Sequence, residues 1–288
     1  VGLIESFTNE EFATIDSLGN RRKEVIEPFT NYFAGRIQKD LNEGNTIIGG
    51  MFTSVNRKIT EEQLEFLNSN ALTGGIDFRQ YFGEKKYFFW GTFTGSYING
   101  STAAMINQQE SSRRYFQRPD ADQLHYDPTR RSMSGHGGNL ILARQVFKGL
   151  NFTANITWRS PGFETNDMGY VRMANTVLQF VNGGYNFTEP FSIFRSMNIY
   201  ATQWSGWDFE GKNVFNGGDL NIGAQFKNLW LLNLSFMKEF NNIDNSILRG
   251  GPAMKIPGGI SYSVFMGTNH TKKLVLSCNV WQYYKGEE

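Results

Sequence analysis

Apolar and polar residues alternate along most of this chain. Between positions 31 and 41, Phe33, Gly35 and Ile37 share one face, with Tyr32, Arg36, Gln38 and Asp40 on the other. A period of two is strand geometry, because successive side chains leave opposite faces of the backbone. After Asn42-Glu43-Gly44-Asn45 the pattern resumes, and that Gly and Asn supply the positive φ of a tight hairpin. Leu72, Ile76 and Phe78 oppose Thr73, Asp77 and Arg79, while Phe152, Ile156 and Trp158 oppose Asn151, Thr153 and Asn155. Met197, Ile199 and Ala201 oppose Ser196, Asn198 and Thr202. Leu220, Ile222, Ala224 and Phe226 oppose Asn221, Gly223 and Gln225, and Trp230, Leu232, Leu234 and Phe236 oppose Leu231, Asn233 and Ser235.

The pattern predicts about thirteen strands, over 1–8, 31–41, 46–57, 71–82, 86–99, 131–146, 150–158, 175–187, 191–203, 213–227, 229–239, 255–267 and 272–284. Most exceed the five or six residues usual in soluble sheets and reach the length a tilted strand needs to cross a bilayer. Short connections (42–45, 83–85, 147–149, 188–190, 227–228, 268–271) alternate with long polar ones (9–30, 58–70, 100–130, 159–174, 204–212, 240–254). Bacterial outer-membrane barrels keep that order, with short periplasmic turns and long outer loops. The expected fold is therefore all-β: an antiparallel up-and-down transmembrane β-barrel, lipid outside and polar or small residues inside. A soluble antiparallel sheet with one wet face alternates identically, and strand length and loop order favour the membrane over it. A closed wall also removes the exposed edges that so many long strands would create. One short helix is expected at 60–67, where Thr60-Glu61-Glu62-Gln63 resembles a capping box and Leu64 and Leu67 share a face.

Composition narrows this further. The 288 residues carry a net charge of +1, which argues against general nucleic-acid binding, since that needs a basic face to displace counterions. Aromatics make up 15% of the chain, and Tyr87, Trp158, Trp204, Trp207, Trp230, Tyr283 and Tyr284 fall near strand ends, where interfacial girdles form. The lone Cys278 excludes an intrachain disulfide, and His125, His136 and His270 lack metal-ligand spacing, so no metal or cofactor is expected. The longest uncharged run, 87–109, is too polar for a spanning helix. Residues 1–288 read as a single domain. Because Val1 opens inside the strand-like VGLIESFT, the chain is expected to be part of a longer protein and a larger barrel.

Three places could carry chemistry. The loop RSPGFETNDMGYVR holds Glu164 and Asp167 beside Asn166, which suits a hard cation or an acid/base pair, or a loop folded by its own Asx-turns with Phe163 or Tyr170 as anchor. In the longest loop, Arg113, Arg114 and Arg118 interleave with Tyr115 and Phe116, then Asp120, Asp122 and Asp127. Arginine beside aromatics suits sugars, phosphates or a partner protein; the alternative is a loop that folds into the lumen and pairs its own charges. Arg36, Asp40, Asp77 and Arg79 are expected to face the lumen, pairing across the wall or lining a pore. Ser134 and His136 lie two apart on one strand, the only local Ser–His pair for a hydrolase, which leaves the enzyme reading the weakest. The glycines at 135, 137 and 138 make no phosphate loop and suit bending or close approach of a neighbour.

The runs EPFTNYFAGRIQKDLNEGNTIIGGMFTSVNR (27–57), SPGFETNDMGYVRMAN (160–175) and LRGGPA (248–253) resemble the domain of unknown function 5916 family, in order and across the whole chain. The resemblance implies a bacterial outer-membrane barrel, chiefly from Bacteroidota, usually preceded by a region resembling a family 9 carbohydrate-binding module. That module is not in this sequence, so a carbohydrate or hydrolase role loses its main support, and the family offers no settled catalytic residues. The function expected is surface binding or passage of a glycan-related ligand, with membrane lipid, glycans or other outer-membrane proteins as partners. The alternatives are a structural component of an outer-membrane complex and a barrel hydrolase.

Overall fold

The computed structural model describes residues 1–240 and 242–286, so Asn241 of the 240–254 connection and residues 287–288 lie outside it. In chain order come β1 (Gly2–Thr8), β2 (Glu11–Ser17), β3 (Asn20–Glu27), β4 (Phe29–Leu41), β5 (Thr46–Lys58), β6 (Asn68–Phe82) and β7 (Tyr87–Gly100). The helix α1 (Thr102–Glu110) follows, then β8 (Ser132–Arg144), β9 (Gly149–Arg159), β10 (Thr176–Phe187), β11 (Phe194–Trp207), β12 (Asn213–Phe226) and β13 (Leu231–Glu239). Last are β14 (Asn242–Asp244), β15 (Met254–Ile256), β16 (Gly259–Gly267) and β17 (Ser277–Lys285). The fold is all-β.

Thirteen strands form one antiparallel sheet in the order β1-β4-β5-β6-β7-β8-β9-β10-β11-β12-β13-β16-β17. These are the strands the alternation predicts, with boundaries shifted by a few residues. Each strand pairs with its successor in the chain, apart from the insertions β2–β3 and β14–β15, which form separate hairpins inside long loops. The sheet is not closed: among the described residues, β1 and β17 each pair on one side only.

Register fixes what each face carries. Tyr32, Val55, Ala71, Ile98 and Met133 are successive cross-strand partners from β4 to β8. This apolar row is the floor on which α1 and the following loop pack, through Ala104, Met105, Phe116, Ala121 and Leu124. We call this face inner. On the other, outer face, Ile37, Ile48, Ile76, Phe78, Leu140, Leu150, Val264 and Met266 all stand exposed. Each is about half exposed and so forgoes roughly half of the 1.5–3 kcal/mol that full burial would contribute. The outer face has one polar interruption near the long-loop ends of β10–β12. There Gln179 donates to Gln203 (3.0 Å), Gln203 to Ser205 (2.8 Å) and Ser205 to Asn216 (3.0 Å).

Several local expectations are corrected. The segment 60–67 is a single 3-10 turn, Glu62–Leu64, with no side-chain cap, so Thr60 and Gln63 form no capping box. It is too short to be an α-helix, and buried Leu64 holds it in place. The predicted long connection 204–212 is shorter than expected, because β11 continues through 204–207 and pairs with β10 as far as Trp207. The remainder is a turn in which Asp208 Oδ1 accepts from the amides of Glu210 (3.0 Å) and Lys212 (2.9 Å). The connection before β17 is longer than expected, because pairing begins only at Ser277. Trp204 is an inner-face residue, stacked where a Cβ on Gly217 would come within 2.7 Å of its ring.

Candidate functional site

The helix missed in the 100–130 loop starts where Ser101 Oγ accepts from the Ala104 amide (3.1 Å), an ordinary N-cap ahead of the helix formers Ala-Ala-Met. Its last turn is pinned by Gln109, which is wholly buried. The Gln109 amide donates to the Asp127 carbonyl (2.9 Å) and its Oε1 accepts from the Asp127 amide (2.9 Å), so the far end of the loop is stitched back to the helix. The chain then enters the arginine run. Burial would be costly there without a counter-charge.

The loop 160–175 supplies that charge. It lies directly on β8: a Cβ on Gly135 would sit 2.1 Å from the Phe163 amide nitrogen, and one on Gly162 2.2 Å from the Ser134 carbonyl. The glycines of SMSGHGGN therefore permit close approach, and Phe163 rather than the exposed Tyr170 anchors the loop. The Glu164 amide donates to Ser96 Oγ on the inner face (3.0 Å). Its buried Oε2 accepts from Arg114 Nη2 (2.7 Å) and Arg113 Nε (3.1 Å), and Oε1 from the Asn166 amide (2.8 Å). Arg114 also donates to the Phe163 carbonyl (2.9 Å) and to Gln108 (3.0 Å). Burial pushes the Arg114 guanidinium below its ordinary pKa, and Glu164 pulls it back up. Asn166 closes the loop on itself, accepting from the Val171 amide (2.6 Å) and donating to its carbonyl (3.1 Å).

Three residues apart, the two loop carboxylates have different partners. Asp167 is ion-paired with Arg57 of β5 and accepts from Asn68 Nδ2 (3.0 Å). Of the arginine–aromatic run, Arg113 and Arg114 join Glu164, Phe116 packs in the core under Arg130, and Tyr115 turns away at φ 43°. Arg113, Arg114 and Tyr115 line a cavity of about 330 Å³ with Arg118, Asn175 and Asp244. A second cleft of about 310 Å³ brings Arg113, Glu164 and Asp167 together with Arg57.

The four charges of the first hairpins share the inner face. Arg36 and Asp77 form an ion pair across β5, directly over Gly49, where a Cβ would lie 2.6 Å from both groups. Arg79 rests on the Trp90 ring, 4.6 Å from its centroid, and Asp40 accepts weakly from Gln38 (3.5 Å). Arg36, Asp77 and Arg79 line a cavity of about 590 Å³, roofed by Thr165, Met168 and Gly169. His136 stands on the outer face, where Nδ1 accepts from Trp158 Nε1 (3.2 Å) and the ring stacks on Phe93.

Sequence alternation placed the wall charges on one face. It did not reveal Arg57, Ser96, Gln108 or Gln109 as site residues. Arg57 and Asp167 are 110 residues apart, and no local signal joins them. Ser101 before Ala-Ala-Met was a legible cap.

The architecture is thus an antiparallel meander sheet with an apolar outer face and an inner face carrying packed loops and polar cavities. The family model for a domain of unknown function (DUF5916) matches residues 1–288, the whole chain, and the chain belongs to that family. No curated protein matches it.

Proposed function

We propose that this chain is the wall of a bacterial outer-membrane β-barrel, lipid on its outer face, that binds a surface ligand through its loop cluster and inner face rather than conducting freely. The observation that carries the reading is the exposed apolar row on the outer face, from Ile37 in β4 to Met266 in β16. Lipid would cover those side chains, and the polar cluster at Gln179 would then lie near the headgroups. The first and last strands of a thirteen-stranded alternating sheet run in the same sense. Closure therefore takes either a parallel β1–β17 seam or an odd number of further strands, and lipid demands closure because unpaired backbone groups cost several kcal/mol each there.

Fractionation of cells making the full protein tests this: it should sediment with outer membranes and need detergent for extraction. Release as a freely soluble species would sink it. Planar-bilayer recordings should show no large steady steps, since α1 and the loops 111–131 and 160–175 occupy the inner face. Glycans remain the proposed ligands, because Arg113 and Tyr115 meet at the rim of one cleft.

A second reading, a structural component of an outer-membrane complex, is favoured by the β2–β3 hairpin, which stands largely exposed and makes no pairing with the main sheet. Photo-crosslinkers at Phe12 or Leu18 would capture a neighbouring outer-membrane protein if that reading holds, and only lipid or solvent products otherwise.

A further inference from the structure

Inside the sheet, below the Glu164 loop, the inner face presents donors with nothing to bond. Arg79 lies over the Trp90 ring, 4.6 Å from its centroid, yet among the described residues its guanidinium forms neither an ion pair nor a hydrogen bond. Its neighbours do not compete for it, because Arg36 and Asp77 neutralise one another through two hydrogen bonds. From Thr92, two positions along β7 from Trp90, a row of hydroxyls runs away from Arg79 through Thr94 to Thr73 and Thr53, and all four line the same cavity. Their hydroxyls have no protein partner among the described residues. Register explains the cluster: Thr53 is the cross-strand partner of Thr73, Thr92 of Asp77, and Thr94 of Gly75. A Cβ on Gly75 would come within 2.8 Å of the Thr94 hydroxyl, so the glycine leaves room for it.

The cavity measures about 590 Å³, inside the range of about 300–1,000 Å³ in which small-molecule sites fall. Its roof is the 165–169 stretch, fixed from above by the Asp167–Arg57 pair. A guanidinium fork matches a planar carboxylate, a row of hydroxyls matches a polyol, and Trp90 and Met168 in the cavity lining offer apolar contact to a ring.

We infer that this inner-face cavity is a binding site for an acidic saccharide, its carboxylate on Arg79 and its hydroxyls on the threonine row. This deepens the ligand-binding half of the proposed function and is independent of the membrane half, because binding is measured on the purified full chain in detergent.

Isothermal titration with a galacturonic acid trisaccharide should give saturable binding. The neutral galactose trisaccharide should bind about tenfold more weakly or worse, the loss expected when a charge-assisted pair is missing. R79Q should remove that preference by weakening the acidic sugar far more than the neutral one, and R79K, which keeps the charge without the fork, should retain part of it. The double variant T92V/T94V should weaken both sugars alike. An unchanged far-ultraviolet circular dichroism spectrum and a retained cooperative unfolding transition show that each variant is folded. The inference is overturned if neither sugar saturates, if R79Q and R79K both bind like the parent, or if inorganic phosphate competes as well as the acidic sugar, which would make the site a simple anion site. Loss of binding in R113Q with R79Q silent would move the ligand to the loop cleft and overturn it equally. Membrane fractionation is scored separately, so a protein that sediments with membranes and binds nothing counts against this site alone.

Discussion

Gly49 shows how one missing side chain sets the inner wall. The Arg36–Asp77 pair crosses β5 at a height that any Cβ would obstruct, and the gap is 2.6 Å on both sides. Gly49→Ala should therefore push the ends of the partly exposed Arg36 and Asp77 side chains aside and weaken their pair, a cost of up to about 1 kcal/mol, seen as a slightly lower midpoint in denaturant. Gly44, half-buried at the hairpin turn with φ 77° and with open space where a Cβ would stand, should answer to a Gly44→Ala change through backbone strain alone and leave the ion pair intact. Glu164 is almost wholly buried. Replacing it with alanine strands the buried Arg114 guanidinium, a change worth about 3–5 kcal/mol in comparable buried pairs. The double change Glu164→Leu with Arg114→Met should recover much of that loss, because it removes both fully buried charges and leaves only the partly exposed Arg113, which keeps its bond to Gln108. A double-mutant cycle by thermal unfolding checks this, and equal losses in single and double variants would refute it.

At the scale of elements, the loops that pack on the inner face are joined by few but specific bonds. The 208–212 turn reaches the 118–123 stretch through Glu210, which accepts from the Gln123 amide (3.0 Å), and through Lys212, which donates to the Asp120 carbonyl (2.8 Å). The Lys212 ion pair, and then the Gln123 amide, hold the Glu210 carboxyl below its ordinary pKa. A depressed carboxylate stabilises the folded state at pH above its unfolded value, about 4.3, and that contribution disappears as pH falls through the lower folded value. Protection of the Gln123 amide against hydrogen exchange, taken relative to its intrinsic rate at each pH, should therefore fall below about pH 4, with little change in that ratio between neutrality and mild acid. Glu210→Gln should bring the lower protection to neutral pH. The roof loop is tied independently by Arg57–Asp167, so Asp167→Asn should loosen 165–169 without freeing 118–123.

For the whole molecule, the two faces of the sheet should respond oppositely to charge. Ile76→Lys and Leu140→Lys place an ammonium on the outer face; at the bilayer midplane such a change costs about 2–4 kcal/mol. Folding into lipid vesicles should suffer accordingly, whereas Thr92→Lys on the inner face should fold nearly as well as the parent. Equal penalties on both faces would contradict a lipid-facing exterior. Engineered cysteines at Leu3 and Val280 test closure, because they lie on the outer sides of the two unpaired edge strands. A disulfide between them in membranes would mark a direct β1–β17 seam, and its absence with protection of both edges would mark intervening strands.

Much of the fold was legible because a sheet's facing rule is local. Each strand announces itself by alternation over a few residues, and the turns beside it by Gly and Asn. This is why the thirteen strands of the main sheet, their sequential pairing and the shared face of Arg36, Asp40, Asp77 and Arg79 follow from the chain alone. The β2–β3 and β14–β15 hairpins escaped notice because their alternation is short and lies inside polar connections. Tertiary structure decided where the long loops go and with whom their charges pair. Nothing near Glu164 foretells Arg113 and Arg114 some fifty positions earlier, because the energy that joins them comes from shared burial rather than from sequence proximity. The same holds for Arg79, which has no hydrogen-bonding partner among the described residues and meets the threonine row only once β4–β7 and the roof loop enclose a common space.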